Sequence, residues 1–185
     1  MNNDMFLKIL KLFGNKGCKF TTEDLARDLG TSKRTIYSSF SNKSDIIEKT
    51  IDFFFLEIIN SDSAIIEDEK LSIKEKIKLC FQATPDVYNI GNILRHKDDL
   101  QKYYPNLNAK VDMYMNVIWD KLMELVEQGI ENKILKDVDT VILKLMFNET
   151  LKKLLDFEFT AQNQISFNSG LKTMYDIALY GLIAE

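Results

Sequence analysis

The chain has 185 residues, 45% of them hydrophobic, and a formal net charge of −4. Seven glycines and two prolines are too few for a turn-rich all-β protein and suit long helices. Two cysteines, Cys18 and Cys80, exclude a disulfide framework, and without a CxxC pair or a Cys/His cluster there is no zinc signature. Both thiols are expected to be reduced. The longest apolar run, residues 53–56, falls far short of the ~20 residues a membrane span needs. The residues after 1–3 mix lysine with apolar side chains and do not read as a signal peptide. A soluble, cytoplasmic protein with no membrane partner is expected.

The charge is segregated. Residues 1–50 carry nine Lys/Arg and six Asp/Glu, whereas residues 51–185 carry fifteen and twenty-two. A cationic first part and an acidic remainder suit a chain in which only the first part meets phosphate. The first helix is predicted over 3–15, with Phe6, Ile9, Leu10 and Phe13 as its apolar stripe and Lys8 and Lys11 facing water. Gly14 and Gly17 are expected to end it.

Residues 20–43, FTTEDLARDLGTSKRTIYSSFSNK, then read as two short helices. Thr21 is an N-cap, and Asp24 three positions on completes a capping box. Leu25, Ala26 and Leu29 share one face, and Gly30 suits the left-handed residue that turns the chain. Thr31 or Ser32 can cap the second helix, whose inward side is Ile36 and Phe40. Its other side carries Lys33, Arg34, Thr35, Tyr37 and Ser38. A glycine turn between two helices, the second polar and basic at its start, is the pattern of a DNA-reading helix-turn-helix.

Ser41 or Asn42 starts a fourth helix through Ile46, Ile47, Ile51, Phe54, Phe55 and Ile58, and the polar segment 60–70 reads as a linker. Ser72 caps a helix of Ile73, Ile77, Cys80 and Phe81 that should stop before Pro85. A less regular segment runs from 86 to 104. The longest helix is predicted from about 106 to 133, with Val111, Met115, Ile118, Leu122 and Leu125 as its stripe. Two more follow, from Asp139 or Thr140 to about 159 and from Ser166 or Asn168 to about 183. Each of these last two has more than one apolar face, which implies burial against a second copy or in a wholly internal core.

The flanked motif, ILKLFGNKGCKFTTEDLARDLGTSKRTIYSSFSNKSDII, resembles the N-terminal domain of the tetracycline-repressor (TetR) family of transcriptional regulators. The residues that carry the likeness are Leu12-Phe13, Gly17, Thr21, Asp24-Leu25-Ala26, Gly30, Ser32-Lys33, Thr35-Ile36-Tyr37, Phe40 and Lys43. Many members have His before the Phe; this chain has Ser39, so the phosphate contact of that His does not carry over. The resemblance implies an all-α protein with a three-helix DNA-binding domain over 1–48 and an effector-binding and dimerisation domain over 49–185. It also implies a homodimer joined through the last two helices, a small-molecule effector and a DNA operator.

The candidate DNA-binding residues are Thr21, Ser32, Lys33, Arg34, Thr35, Tyr37 and Lys43. Arg34 can grip guanine O6 and N7 with its planar fork, and it sits where many family members have a small residue. Tyr37 and Lys43 match family positions that grip phosphates. Phe81, Tyr88, Met115, Trp119, Met123 and Phe147 are candidates to line an apolar effector cavity, with Arg95 and Asn148 to orient the ligand, although each also reads as ordinary core. The candidate dimer interface is Leu145, Leu171, Met174, Ala178, Gly181 and Leu182. His96, the sole histidine, lies in the polar run RHKDD and reads as a surface residue, so no histidine pair or triad can form. No Gly-rich phosphate loop, GxSxG, HExxH or EF-hand pattern occurs, and neither catalysis, a cofactor nor a metal is expected. The sequence supports a repressor of a palindromic operator, with a helical interaction module that has lost DNA binding as the alternative.

Overall fold

The structure is a computed structural model that describes residues 3–82, 91 and 93–183. Among them the chain is all-α, with no strand and one isolated antiparallel bridge between Leu135 and Ile183. The helices are α1 (Asn3–Lys16), α2 (Thr22–Leu29), α3 (Lys33–Ser39), α4 (Lys43–Glu67), α5 (Ile73–Gln82), α6 (Lys97–Tyr103), α7 (Pro105–Glu131), α8 (Thr140–Leu155), α9 (Phe157–Gln162) and α10 (Phe167–Leu182). A 3₁₀ turn, Gly17–Lys19, joins α1 to α2. No helix of the described residues is long and apolar enough to cross a membrane.

Contacts divide the chain into two compact units, residues 1–57 with 88–114 and residues 58–87 with 115–185. Residues 93–114 pack with the first helices. In the first unit, α1 buries Phe6, Ile9, Leu10, Leu12 and Phe13, the expected stripe plus Leu12. Ile46, Ile47, Ile51, Phe54 and Phe55 of α4 and Ile93, Leu100, Leu107 and Val111 are buried with them. Charge then fastens α7 to α4. Lys110 Nζ lies 2.8 Å from Glu48 Oε1 and 2.7 Å from Asp52 Oδ1, and the Tyr114 hydroxyl donates to Asp52 at 2.8 Å.

The second unit closes on Ile77, Trp119, Leu122, Met123, Leu125, Val126, Leu135, Phe147, Leu179 and Leu182. Trp119 and Phe147 stack at 5.2 Å between ring centroids, and Tyr175 meets Phe147 edge-on at 6.1 Å. Two expectations are corrected. The supposed linker 60–70 is helical to Glu67, because its polar residues find partners: Ser63 donates to the Ile59 carbonyl, and Lys121 and Lys76 donate to Ser63 and the Ile66 carbonyl. The helix expected to reach 159 breaks at Asp156, whose carboxylate accepts from the Phe159 amide and caps α9.

Phe147 is 2% exposed at the centre of this aromatic stack, so Phe147→Ala should leave a cavity and cost about 3–5 kcal/mol of stability. Chemical denaturation checks this; a loss below about 1 kcal/mol would mean the stack is not the core of its unit.

Candidate nucleic-acid interface

The helix-turn-helix forms as its residues dictate. Thr21 Oγ1 accepts from the Asp24 amide at 3.1 Å, and the Asp24 carboxylate accepts from the Thr21 amide at 2.9 Å, the reciprocal capping box. Gly30 takes the left-handed conformation (φ 62°, ψ 36°), and its N–H is held by the Ala26 and Arg27 carbonyls. Ser32 caps α3 by accepting from the Thr35 amide at 3.1 Å. Asn42 caps α4 by accepting from the Asp45 amide.

The short α3 turns two faces to its surroundings. Ile36 and Phe40 are buried, while Ser32, Lys33, Arg34, Thr35, Tyr37 and Ser38 are exposed. Lys33 is ion-paired with Glu23 of α2. The Tyr37 hydroxyl donates to Thr22 Oγ1 at 3.4 Å. Asp24 holds Lys16 at 2.7 Å and Arg27 at 2.8 Å, and the hydrogen bond from Lys16, then that from the Thr21 amide, hold its carboxyl well below the usual carboxylate range. Glu23 and Asp24 of α2 are thus paired with nearby cations, whereas Arg34 has no hydrogen-bond or ion-pair partner among the described residues. Its guanidinium faces water with five donors unspent.

Lys43 is placed differently from the other candidates. It is half-buried, its ammonium donates to the Cys18 carbonyl at 2.6 Å, and it lies 4.8 Å over the Phe20 ring. Burial pulls its pKa down. Here Lys43 is a joint between α4 and the α1–α2 connection, and a phosphate could claim it only by breaking that bond. Cys18 is buried, and burial, aided by the Asp99 carboxylate, pushes its thiol up to about 11. The reactive thiolate is therefore suppressed, which argues against a redox role. Lys49, which sequence reasoning passed over, donates to the Ser39 carbonyl and to Asp45 and lies 5.4 Å over the Phe40 ring. A cation about two helical turns beyond the α4 cap was its only sequence signal.

Four of the effector candidates share the core of the second unit. Trp119, Met123 and Phe147 are buried in the packed cluster, with Met115 against it. Asn148 is half-buried, and Arg95 is exposed in the first unit. Tyr88 and the side chain of Phe81 lie outside the described residues. The Trp119 indole N–H is buried without a hydrogen-bond partner among the described residues. Among the described residues a groove of about 740 Å³ opens on α8–α10, lined among others by Met146, Phe147, Leu154, Phe159, Met174 and Ile177.

The interface candidates divide. Leu145 is 53% exposed, Met174 and Ala178 are half-buried along the groove, and Gly181 is exposed with open space beside it. Leu171 and Leu182 are buried within their own unit, with Leu182 among the residues that line the groove. Val141, Ile142, Met146, Ile177 and Tyr180, which the expected set omitted, are exposed.

Residues 8–50 match the model of bacterial regulatory proteins of the tetR family. Over 100% of this chain and 97% of its relative, the sequence is 25% identical to the HTH-type transcriptional regulator YvaF of Bacillus subtilis strain 168. The fold is similar to that of the TetR-family regulator PfmR from Thermus thermophilus, at 18% identity with a TM-score of 0.73 over 98% of this chain and 100% of that one. It is also similar to FadR from Bacillus subtilis in complex with stearoyl-CoA, at 17% identity and a TM-score of 0.69 over 96% and 97%.

One electrostatic consequence is testable. Burial pushes the Asp62 carboxyl up to about 6, against the pull of Lys121. A carboxyl raised above its unfolded value of about 3.9 weakens the fold once it ionises, so this cost is present above pH ~6 and fades as pH falls towards 4. Asp62→Asn should therefore gain most melting temperature over wild type at pH 7, with the gap closing near pH 4. A gap independent of pH would contradict the buried placement.

Proposed function

We propose that the chain, which matches the tetR family of bacterial regulatory proteins over residues 8–50, is a ligand-responsive repressor that binds a palindromic operator as a homodimer. The observation that carries this reading is the division of α3, with Ile36 and Phe40 buried and Arg34 and Thr35 presented to solvent. In helix-turn-helix proteins this helix enters the major groove, and two copies fit half-sites about 34–36 Å apart. Residues 1–48 would meet the DNA. Arg34 would read a guanine; Thr21, Ser32, Lys33, Thr35 and Tyr37 would hold the backbone or neighbouring base edges, with Lys43 serving mainly as the joint described above.

Residues 49–185 would supply dimerisation and effector response. Support for the dimer comes from the exposed apolar side chains of α8 and α10, among them Val141, Ile142, Leu145, Met146, Ile177 and Tyr180, a surface that water disfavours. The effector would be a small apolar or aromatic molecule that binds one arrangement of the heads better than another, since only differential affinity shifts such an equilibrium. The FadR neighbour was solved with stearoyl-CoA, whose long apolar tail fits that class.

A salt titration on the DNA upstream of its own gene tests the reading. Affinity should fall steeply and linearly in log[salt], and Arg34→Ala should lose about 1–3 kcal/mol of base discrimination while keeping the slope. A flat salt response would favour the interaction module instead. Separately, Leu145→Glu with Ile177→Glu should give monomers in sedimentation velocity and weaken operator binding at least tenfold by removing the second head. Dimers that survive both changes would move the interface elsewhere.

A further inference from the structure

The geometry points to His96 as a positioning residue for DNA binding, one that fixes the carboxyl end of α1 and thereby the seat of the helix-turn-helix. The inference deepens the regulator reading and rests on it. The last carbonyls of a helix lack partners within it. At the end of α1 the Gly14 carbonyl oxygen lies 2.9 Å from His96 Nε2, a contact across 82 positions of sequence. A carbonyl can only accept, so Nε2 carries the proton and donates. The imidazole stands edge-on to Phe13 at 5.5 Å, which fixes the plane of the ring.

The other edge of His96 faces the turn that follows. Gly17 has φ +54°, and a Cβ there would collide with the Asp99 carboxylate and sit 2.8 Å from His96 Nδ1. The α1–α2 connection therefore runs directly against His96 and Asp99. Lys43 holds the same connection through the Cys18 carbonyl at 2.6 Å. Phe20, fully buried, then leads into the Thr21 cap of α2. Residues 14–20 are thus gripped by the start of α4 and by the segment leading into α6. That connection sets where α2 begins, and α2 carries α3. The family match ends at residue 50, so it lacks a support that the head uses.

The test uses the full chain and a duplex from directly upstream of its own gene. His96→Leu fills the volume but strands the Gly14 carbonyl, His96→Gln retains a donor of similar reach, and His96→Asn carries a donor too short to arrive. H96L and H96N should bind about five- to tenfold more weakly, the effect of one such hydrogen bond, and H96Q within about twofold of wild type. Amide exchange should quicken at 14–20 and 33–39 in the two weak variants and stay unchanged at 140–182. Wild-type affinity in H96L and H96N, or a defect in H96Q equal to theirs, would overturn the proposal. If wild type itself ignored the duplex, the regulator reading would fall. Exchange at 14–20 and 33–39 would still decide whether His96 holds the joint.

Discussion

The candidate interface depends on the burial of two side chains, Ile36 on a helix of only seven residues and Phe40 at its C-cap. A helix that short has no stability of its own in water. It exists because its apolar edge is held by the surrounding helices, because Ser32 caps its start and because Lys49 secures its end through the Ser39 carbonyl. Once Ile36 and Phe40 point inward, helical geometry leaves Arg34, Thr35, Tyr37 and Ser38 no direction but outward. On the proposed reading, recognition is a by-product of packing. The residues that bury α3 aim those that face solvent.

Electrostatics refine this arrangement. Asp24 draws Lys16 and Arg27 towards α2, and Glu23 draws Lys33, so several cations near the motif already have partners in the free protein. Arg34 does not. A duplex would have to compete for Lys33 and Lys43 but would find Arg34 unspent, which supports the proposal that Arg34 takes the larger share of base reading. Away from the head, the acidic remainder of the chain disfavours contact with phosphate and would limit non-specific spreading along DNA.

The local chemistry of the head was legible in the sequence because it is written within a few residues. A Thr three positions before an acid, a glycine between two apolar patterns and a Ser before a basic run each specify a bond or a dihedral, and each formed. What was illegible depended on partners distant in the chain. The polar residues of 60–70 looked like a linker until Lys121 and Lys76 met them. The break at Asp156 is hidden by an apolar period that runs on through Leu154 and Leu155. Leu171 and Leu182 share a face with Met174 and Ala178 in projection, yet the chain folds them inward. His96 looked like a surface residue in a charged run, and only the fold brings it to Gly14. Periodicity shows that a face is apolar; it does not show what covers it.

Hydroxyl-radical footprinting of the upstream DNA at low ionic strength tests the central claim most directly. Two helices presented by a paired body should protect two patches of backbone about one helical turn apart, related by a two-fold axis at the centre of a near-palindrome. A single protected patch, or uniform cleavage at protein concentrations that saturate other duplex binders, would contradict the account.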